Sequence, residues 1–312
     1  MKVIRDLADF PVLPHAVVTS GTFDGVHLGH QKIIERLLEI TRATNGQSVV
    51  VTYWPHPRLV LQAQDQSSLQ LLSTIDERIE QLATFPIDYL LIIPFTQEFA
   101  GLTSEAYIRK ILLATIQTKV FVIGYDHRFG KGREGSFAYL QQHAPAFGFQ
   151  VEEIPARDID HVAVSSTKIR KALESGNIAT ANAYLERPYS LSGTVVRGRQ
   201  LGRTIGYPTA NIVVSDLHKL IPGQGIYAVQ VKVNNQVYGG MLSIGTNPTV
   251  GGTEQTIEVN IFSFNQDIYE QEITIYFIAY IREERNLPGL EALKEQLHQD
   301  QDSALALLNQ TK

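Results

Sequence analysis

Apolar runs and helical stretches alternate along the first half of the chain. The run Ala16-Val17-Val18 feeds a glycine-bearing turn, after which Ile33, Ile34, Leu37 and Leu38 recur at the spacing of one helix face. Ser48 to Tyr53 is β-branched and suits a central strand, closed by the prolines of Trp54-Pro55-His56-Pro57. Thr74 with Glu77 three residues later is a capping-box pattern ahead of Ile75, Ile79 and Leu82, so a helix starts there. Tyr89 to Ile93 and Lys119 to Ile123 are further short apolar runs, with a helical pattern around Ala106 to Leu113 between them. Such alternation predicts a parallel sheet covered by helices, with ligands bound beyond the carboxyl ends of its strands.

Past Leu185 the pattern changes to strands joined by short turns. Leu191 to Val196, Ile226 to Val233, Val237 to Ile244, Ile257 to Phe264 and Ile273 to Ile281 all read as strands, and Asn234-Asn235 as a hairpin turn. One long helix, about Leu290 to Leu308, follows, with Leu293, Leu297, Ala304 and Leu308 as packing positions. The expected fold is therefore α/β: an N-terminal parallel-sheet domain over 1–185, then a small antiparallel β-barrel with a C-terminal helix over 186–312.

Composition narrows the chemistry. With 312 residues, 44% of them hydrophobic, there is enough chain for two cores. A net charge of −5 speaks against nucleic acid or an anionic membrane as a partner, so phosphate binding has to be local. The absence of cysteine removes disulfides and thiolate metal sites and fits a reducing compartment. Neither a signal peptide nor a membrane span is visible, which predicts a cytoplasmic protein.

The turn Gly21-Thr22-Phe23-Asp24-Gly25-Val26-His27-Leu28-Gly29-His30 carries the strongest signal. His27 and His30, three apart at a helix start, project on one face where unpaired backbone N–H groups also point outward, and Gly25 and Gly29 permit close approach. These features predict a site for a nucleotide triphosphate. Ser165-Ser166-Thr167-Lys168-Ile169-Arg170 opens another helix with hydroxyls and cations, and reads either as a second phosphate cradle or as a plain N-cap. Gly130, Gly132 and Gly135 match a dinucleotide glycine pattern, but the polar segment Tyr125 to Phe129 separates them from the strand end. With Arg128, Lys131 and Arg133 this stretch reads instead as a basic loop over a phosphorylated ligand.

In the second half, Gly198, Gly202 and Gly206 lead into Tyr207-Pro208-Thr209-Ala210-Asn211. No Lys-Ser or Lys-Thr follows, so this is no Walker motif; the glycines still allow backbone to line a phosphate, and Thr209 and Asn211, two apart on an extended segment, offer two oxygens to a hard cation. Local hydrogen bonding of a Thr and an Asn in a turn is the plainer reading. Glu258, on the polar face of an alternating strand with Asn260, is either a solvated acid or a base acting on an alcohol beside ATP. His56 and His127 are isolated and predict no transition-metal site.

Taken together these stretches resemble the bifunctional riboflavin kinase/FMN adenylyltransferase family, the prokaryotic FAD synthetases, over essentially the whole chain. Residues 21–30 look like its nucleotidyltransferase signature, Ser165 to Arg170 like its second ATP motif, Gly124 to Gly135 like its flavin-side loop and Gly206 to Asn211 like its magnesium and ATP motif; Glu258 aligns with its proposed base. The resemblance implies His27, His30 and Glu258 as catalytic. It implies ATP contacts at Gly21, Thr22, Phe23, Asp24, Gly25, Gly29, Ser165, Ser166, Thr167, Arg170, Gly202, Gly206, Thr209 and Asn211, and flavin contacts at Asp126, Arg128, Phe129, Arg282 and Glu284. It also implies Mg2+ with ATP at Thr209 and Asn211, and riboflavin, FMN and FAD as substrates and products. Riboflavin would be phosphorylated to FMN, and FMN adenylylated to FAD with release of pyrophosphate. Thr22, Ala163, Glu186, Asn260 and Glu270 depart from the commoner family pattern; Glu186 and Glu270 stand where glycine is frequent. An enzyme with only the second activity, or a flavin-binding regulator, are the competing readings.

Overall fold

A computed structural model describes residues 1–61, 69–154, 164–198, 202, 205–249, 252–285 and 287–310. They form two compact units, Met1–Ser166 and Thr167–Lys312. In the first, six strands lie in the order β1-β4-β3-β2-β5-β6: β1 (Lys2–Ile4), β2 (Ala16–Ser20), β3 (Gln47–Trp54), β4 (Tyr89–Pro94), β5 (Thr118–Gly124) and β6 (Gln150–Ile154). Every pairing is parallel. The order reverses direction between β2 and β5, so the segment leaving β2 lies at the switch point where open sheets bind ligands.

Alternation along the strands divides the core. Val18, Val49, Val51, Leu91 and Phe121 face Tyr107, Ile108, Ile111, Leu112 and Leu140. Val17, Val50, Leu90, Ile92 and Val122 face the helices α1 (Leu28–Ala43) and α2 (Ile75–Ala83), through Ile34, Leu37, Leu38, Ile75 and Leu82. The predicted capping box at Thr74 and Glu77 is present in both directions and starts α2. The helical pattern near Ala106 begins as an α-turn at Ser104–Tyr107 and continues as a π-helix over Ile108–Thr115. The edge strands β1 and β6 were absent from the sequence pattern, β1 for its brevity and β6 for its run of Glu152 and Glu153.

The second unit is a closed antiparallel barrel in the order β10-β11-β8-β7-β12-β9. Its strands are β7 (Tyr189–Val196), β8 (Ala210–Val213), β9 (Gly225–Val233), β10 (Gln236–Thr249), β11 (Gly252–Ile261) and β12 (Glu272–Arg282). Asn234 and Asn235 both sit at positive φ, 46° and 69°, the geometry of the tight hairpin predicted for them. Two helices upstream, α4 (Ser166–Glu174) and α5 (Ile178–Leu185), belong to this unit by their contacts, after α3 (Phe137–Phe147). The Gly223 N–H donates to the Leu173 carbonyl at 2.9 Å, and Asn182 Nδ2 donates to the Phe277 carbonyl at 2.8 Å. The contact boundary thus precedes the expected one at 185 by those two helices. Glu186 and Glu270 lie at φ 55° and 65°, which explains why glycine suits these positions better.

The closing helix α6 (Leu290–Asn309) packs through Leu297, Leu307 and the fully buried Ala304 against Ala228 and Met241. Its strongest attachment is polar. Arg282 grips Asp300 bidentately, Nε to Oδ1 at 2.7 Å and Nη2 to Oδ2 at 2.6 Å, with Asp300 buried and Gln296 donating to the same carboxylate. Breaking such a pair strands a charge, at a typical cost of about 3 kcal/mol. Asp300→Ala should therefore lower the stability of the second unit in urea unfolding by about that amount, whereas Arg282→Met/Asp300→Leu should recover most of it.

Candidate active sites

The turn between β2 and α1 is held in an unfavourable shape. Phe23 has φ 47° and Val26 φ 40°, and a β-branched residue in the left-handed region is strained. Several bonds offset this. The Asp24 carboxylate, almost fully buried, accepts from the Leu72 and Ser73 N–H groups at 3.0 and 3.1 Å, while Gly25 N–H donates to Ser73 Oγ. Thr52 Oγ1 donates to the Thr22 carbonyl at 3.2 Å. Gly21 packs on the Phe23 ring.

His27 is the N-cap of α1, yet its side chain makes no capping bond. Its ring instead stacks on His30, centroids 3.8 Å apart at 17°, and the Phe23 ring lies tilted against His30 at 5.2 Å. The two imidazoles and the first turn of α1 thus present polar hydrogens and a helix N-terminus at the carboxyl edge of the sheet. Ser166 Oγ donates to the Asp24 carbonyl at 3.3 Å, so the start of the second motif is tied to this turn. Ser165 is exposed; Thr167 and Arg170 follow along α4 in the second unit. Ala163 lies outside the described residues.

The segment after β5 is better anchored than a loose lid. Phe129 and Gly135 exchange backbone hydrogen bonds at 3.1 and 2.9 Å, and Lys131 N–H donates to the Leu102 carbonyl at 2.7 Å. The glycines of the apparent dinucleotide pattern serve packing: Gly130, at φ 75°, lies against Ser104, and Gly135 against the Phe129 ring. Asp126 and Arg128 are exposed, but Phe129 is buried within the core. Sequence reading missed the aromatic group beside it. Tyr107 is 5.3 Å from Phe129, its hydroxyl is hydrogen-bonded to that of Tyr53 at 3.0 Å, and the half-buried Phe95 and Phe99 continue the group. The spacing of Phe95, Phe99 and Tyr107 is the signal that could have revealed it.

In the barrel, β8 and β11 pair so that Asn211 lies opposite Glu258. Thr209 Oγ1 donates to Glu258 Oε2 at 3.0 Å, which leaves the hydroxyl lone pairs free to meet a cation. Asn211 packs over Gly198, where any Cβ would collide with its amide. Asn260 Nδ2 donates to the Pro208 carbonyl at 2.7 Å and so fixes the segment that carries Thr209. Glu284 is held over Gly245, a glycine the sequence did not single out. Partial burial, and then the charge of Glu258, push the Glu284 carboxyl up from its ordinary value against the opposing pull of Arg282. Arg282 itself is engaged by Asp300. Gly202 accepts the Tyr207 N–H and Gly206 sits at φ 88°, while 199–201 and 203–204 lie outside the described residues.

A phosphate-directed helix start on a parallel sheet, and a threonine–carboxylate pair on a barrel, define a two-site transferase acting on phosphate groups. Residues 10–168 match the FAD synthetase family, and residues 185–308 match the riboflavin kinase family. The bifunctional riboflavin kinase/FMN adenylyltransferase of Escherichia coli K12 is 36% identical over 315 residues, covering 100% of this chain and 99% of the relative. The namesake from Haemophilus influenzae is 35% identical with 99% and 100% covered, and that of Bacillus subtilis 34% with 93% and 92%. The chain belongs to this bifunctional riboflavin kinase/FMN adenylyltransferase family. A crystal structure described as a macrolide-efflux protein from Streptococcus pneumoniae has the same fold, with a TM-score of 0.87, 32% identity and 97% of each chain covered. Among the described residues here, no helix is long and apolar enough to cross a membrane.

His127, isolated in the sequence, lies within 3.4 Å of Ser20 Oγ and against Phe121 and Phe129. Burial, and then Arg128 and Arg133, lower its pKa from 6.5 to about 4. The unfolded chain therefore binds a proton that the folded one refuses, so stability is complete above pH 6.5 and drains away as pH falls toward 4. His127→Gln should remove up to about 3 kcal/mol of that acid sensitivity, read as a flatter dependence of the denaturation midpoint on pH between 6.5 and 4.

Proposed function

We infer that the chain makes FAD from riboflavin in two ATP-consuming steps: the barrel transfers the γ-phosphate of ATP to the ribityl hydroxyl, and the first unit joins the resulting FMN to the α-phosphate of a second ATP. The observation that carries this reading is the contrast between the sites. The barrel holds a carboxylate bonded to a hydroxyl, whereas the first unit offers stacked imidazoles at a helix N-terminus, beside an Asp24 carboxylate that is buried on backbone N–H groups.

That contrast follows from the nucleophiles. An alcohol has to lose a proton as it attacks, and Glu258 is the group to take it; the Thr209 hydrogen bond keeps its carboxylate oriented. The FMN phosphate is already an anion, so adenylylation needs alignment and charge neutralisation. In this reading His27 and His30 donate to phosphate oxygens where charge builds, with Ser165 and Ser166 as further phosphate contacts. Gly21 to Gly25 and Gly29 give the nucleotide room to lie against backbone. Asp126, Arg128 and the aromatic group around Phe129 are the proposed flavin side of this unit, and Glu284 with Arg282 that of the barrel.

Thr209 and Asn211 fit a hard cation, since both supply neutral oxygen and Glu258 lies beside them. We assign Mg2+ to them, where it neutralises phosphate charge when bound with ATP. The substrates are thus small molecules, ATP, riboflavin and FMN, and the cytoplasm, with its supply of ATP, is the proposed compartment. Nothing favours an inactive barrel or a flavin-binding regulator, because Thr209 and Glu258 are present and joined. His30→Ala should slow FMN-to-FAD conversion by about 10²-fold or more and leave riboflavin phosphorylation intact. Glu258→Gln should do the reverse, by ~10² to 10⁴. Loss of both reactions in either folded variant would refute the two-site reading.

A further inference from the structure

Arg78 is the largest fully buried side chain among the described residues, at 0% exposure on α2, and the chemistry above leaves it without a role. A guanidinium that lost its water and was merely structural would be paired to a carboxylate by direct bonds. Here Nη1 donates to Thr52 Oγ1 at 3.2 Å and to the Tyr53 carbonyl at 3.3 Å, Cζ lies 5.6 Å from the centroid of the Trp54 ring, and Nε and Nη2 have no hydrogen-bond partner among the described residues. Desolvation lowers its pKa, and the nearby Asp24 charge acts in the opposite direction. Two of the groups that Arg78 reaches, Thr52 and Asp24, lead to the strained turn. Thr52, which accepts from Arg78, donates to the Thr22 carbonyl; Asp24, which Arg78 attracts, is the carboxylate that anchors the turn to Leu72 and Ser73.

We propose that Arg78 is a positioning residue for adenylylation: through Thr52 to the Thr22 carbonyl, and by its charge on Asp24, it holds Phe23 and Val26 in the left-handed conformation that binds ATP. It does not touch the reactants. The turn is a bistable element, because a residue such as Val26 at φ 40° relaxes when its supports weaken. If only a fraction of molecules carry the competent turn, the apparent affinity for ATP falls by that fraction, while saturating ATP pulls the population back. The expected signature is a raised KM for ATP at little-changed kcat, which a loss of transition-state contacts does not give.

The inference rests on reading Gly21 to His30 as the adenylylation site, so His30→Ala is measured beside the test variants. Arg78→Met, similar in length and uncharged, should raise the KM for ATP in FMN adenylylation about tenfold with kcat within about threefold, as expected for one lost charge-assisted hydrogen bond. Arg78→Lys should restore KM to within about threefold of the parent, and Thr52→Val, which removes only the relaying hydroxyl, should raise it about threefold. Arg78→Met/Thr52→Val should be no worse than Arg78→Met, since both changes cut one chain of bonds. Riboflavin phosphorylation by the same samples reports on the other unit and should not change. An unaltered KM in Arg78→Met and Thr52→Val, or a loss of kcat that saturating ATP does not restore, overturns the proposal. Should Arg78→Met fail to fold, Thr52→Val decides. If His30→Ala also leaves adenylylation intact, the assignment of the site fails; if only the Arg78 and Thr52 variants are silent, the site stands and the positioning role falls.

Discussion

The first unit depends on one buried carboxylate. Asp24 leaves solvent almost entirely and is compensated by the N–H groups of Leu72 and Ser73, residues far away in sequence that no local rule would bring to it. This exchange fixes the chain between Phe23 and Val26 in a conformation that isolated peptides avoid. From it follow the direction in which α1 leaves the sheet and the stacking of His27 on His30 at the helix N-terminus. Strain at the turn is thus part of the site, and the energy that maintains it lies in the surrounding bonds.

The barrel solves a different problem. Two of its carboxylates, Glu258 on β11 and Glu284 after β12, are electrostatically coupled: partial burial and the charge of Glu258 raise the affinity of Glu284 for protons, and Arg282 opposes this. Arg282 is meanwhile locked to Asp300, so the C-terminal helix and the segment that carries Glu284 are mechanically joined. In the proposed assignment the barrel site holds a carboxylate to accept a proton, whereas the proposed adenylylation site is built from donors. On that proposal the two units divide the chemistry according to the protonation state of the incoming nucleophile.

Periodicity made most of the architecture legible. The alternation before Leu185, the strand run after it, the Thr74 capping box and the Asn234-Asn235 hairpin are local features, encoded within a few residues. The sheet edges β1 and β6 were not, since their strands are short or charged and gain order from neighbours. The segment from Thr167 to Leu185 reads as a continuation of the first half, yet its hydrogen bonds to Gly223 and Phe277 place it with the barrel. Within the proposed sites, the motif residues stand out because glycines, histidines and hydroxyls cluster in sequence. Arg78, Ser73, Gly245 and Asp300 were not, because each acts through a partner remote in the chain. Phe129 is a core side chain, and its burial could not be told from its polar flanks.

The central claim is that one chain carries two chemically distinct sites acting in succession. It is tested most directly by incubating the intact protein with riboflavin, ATP and magnesium and separating the flavins over time by chromatography. FMN should appear first and then give way to FAD. No FMN from riboflavin, or FMN that accumulates without FAD while ATP remains, would contradict the account.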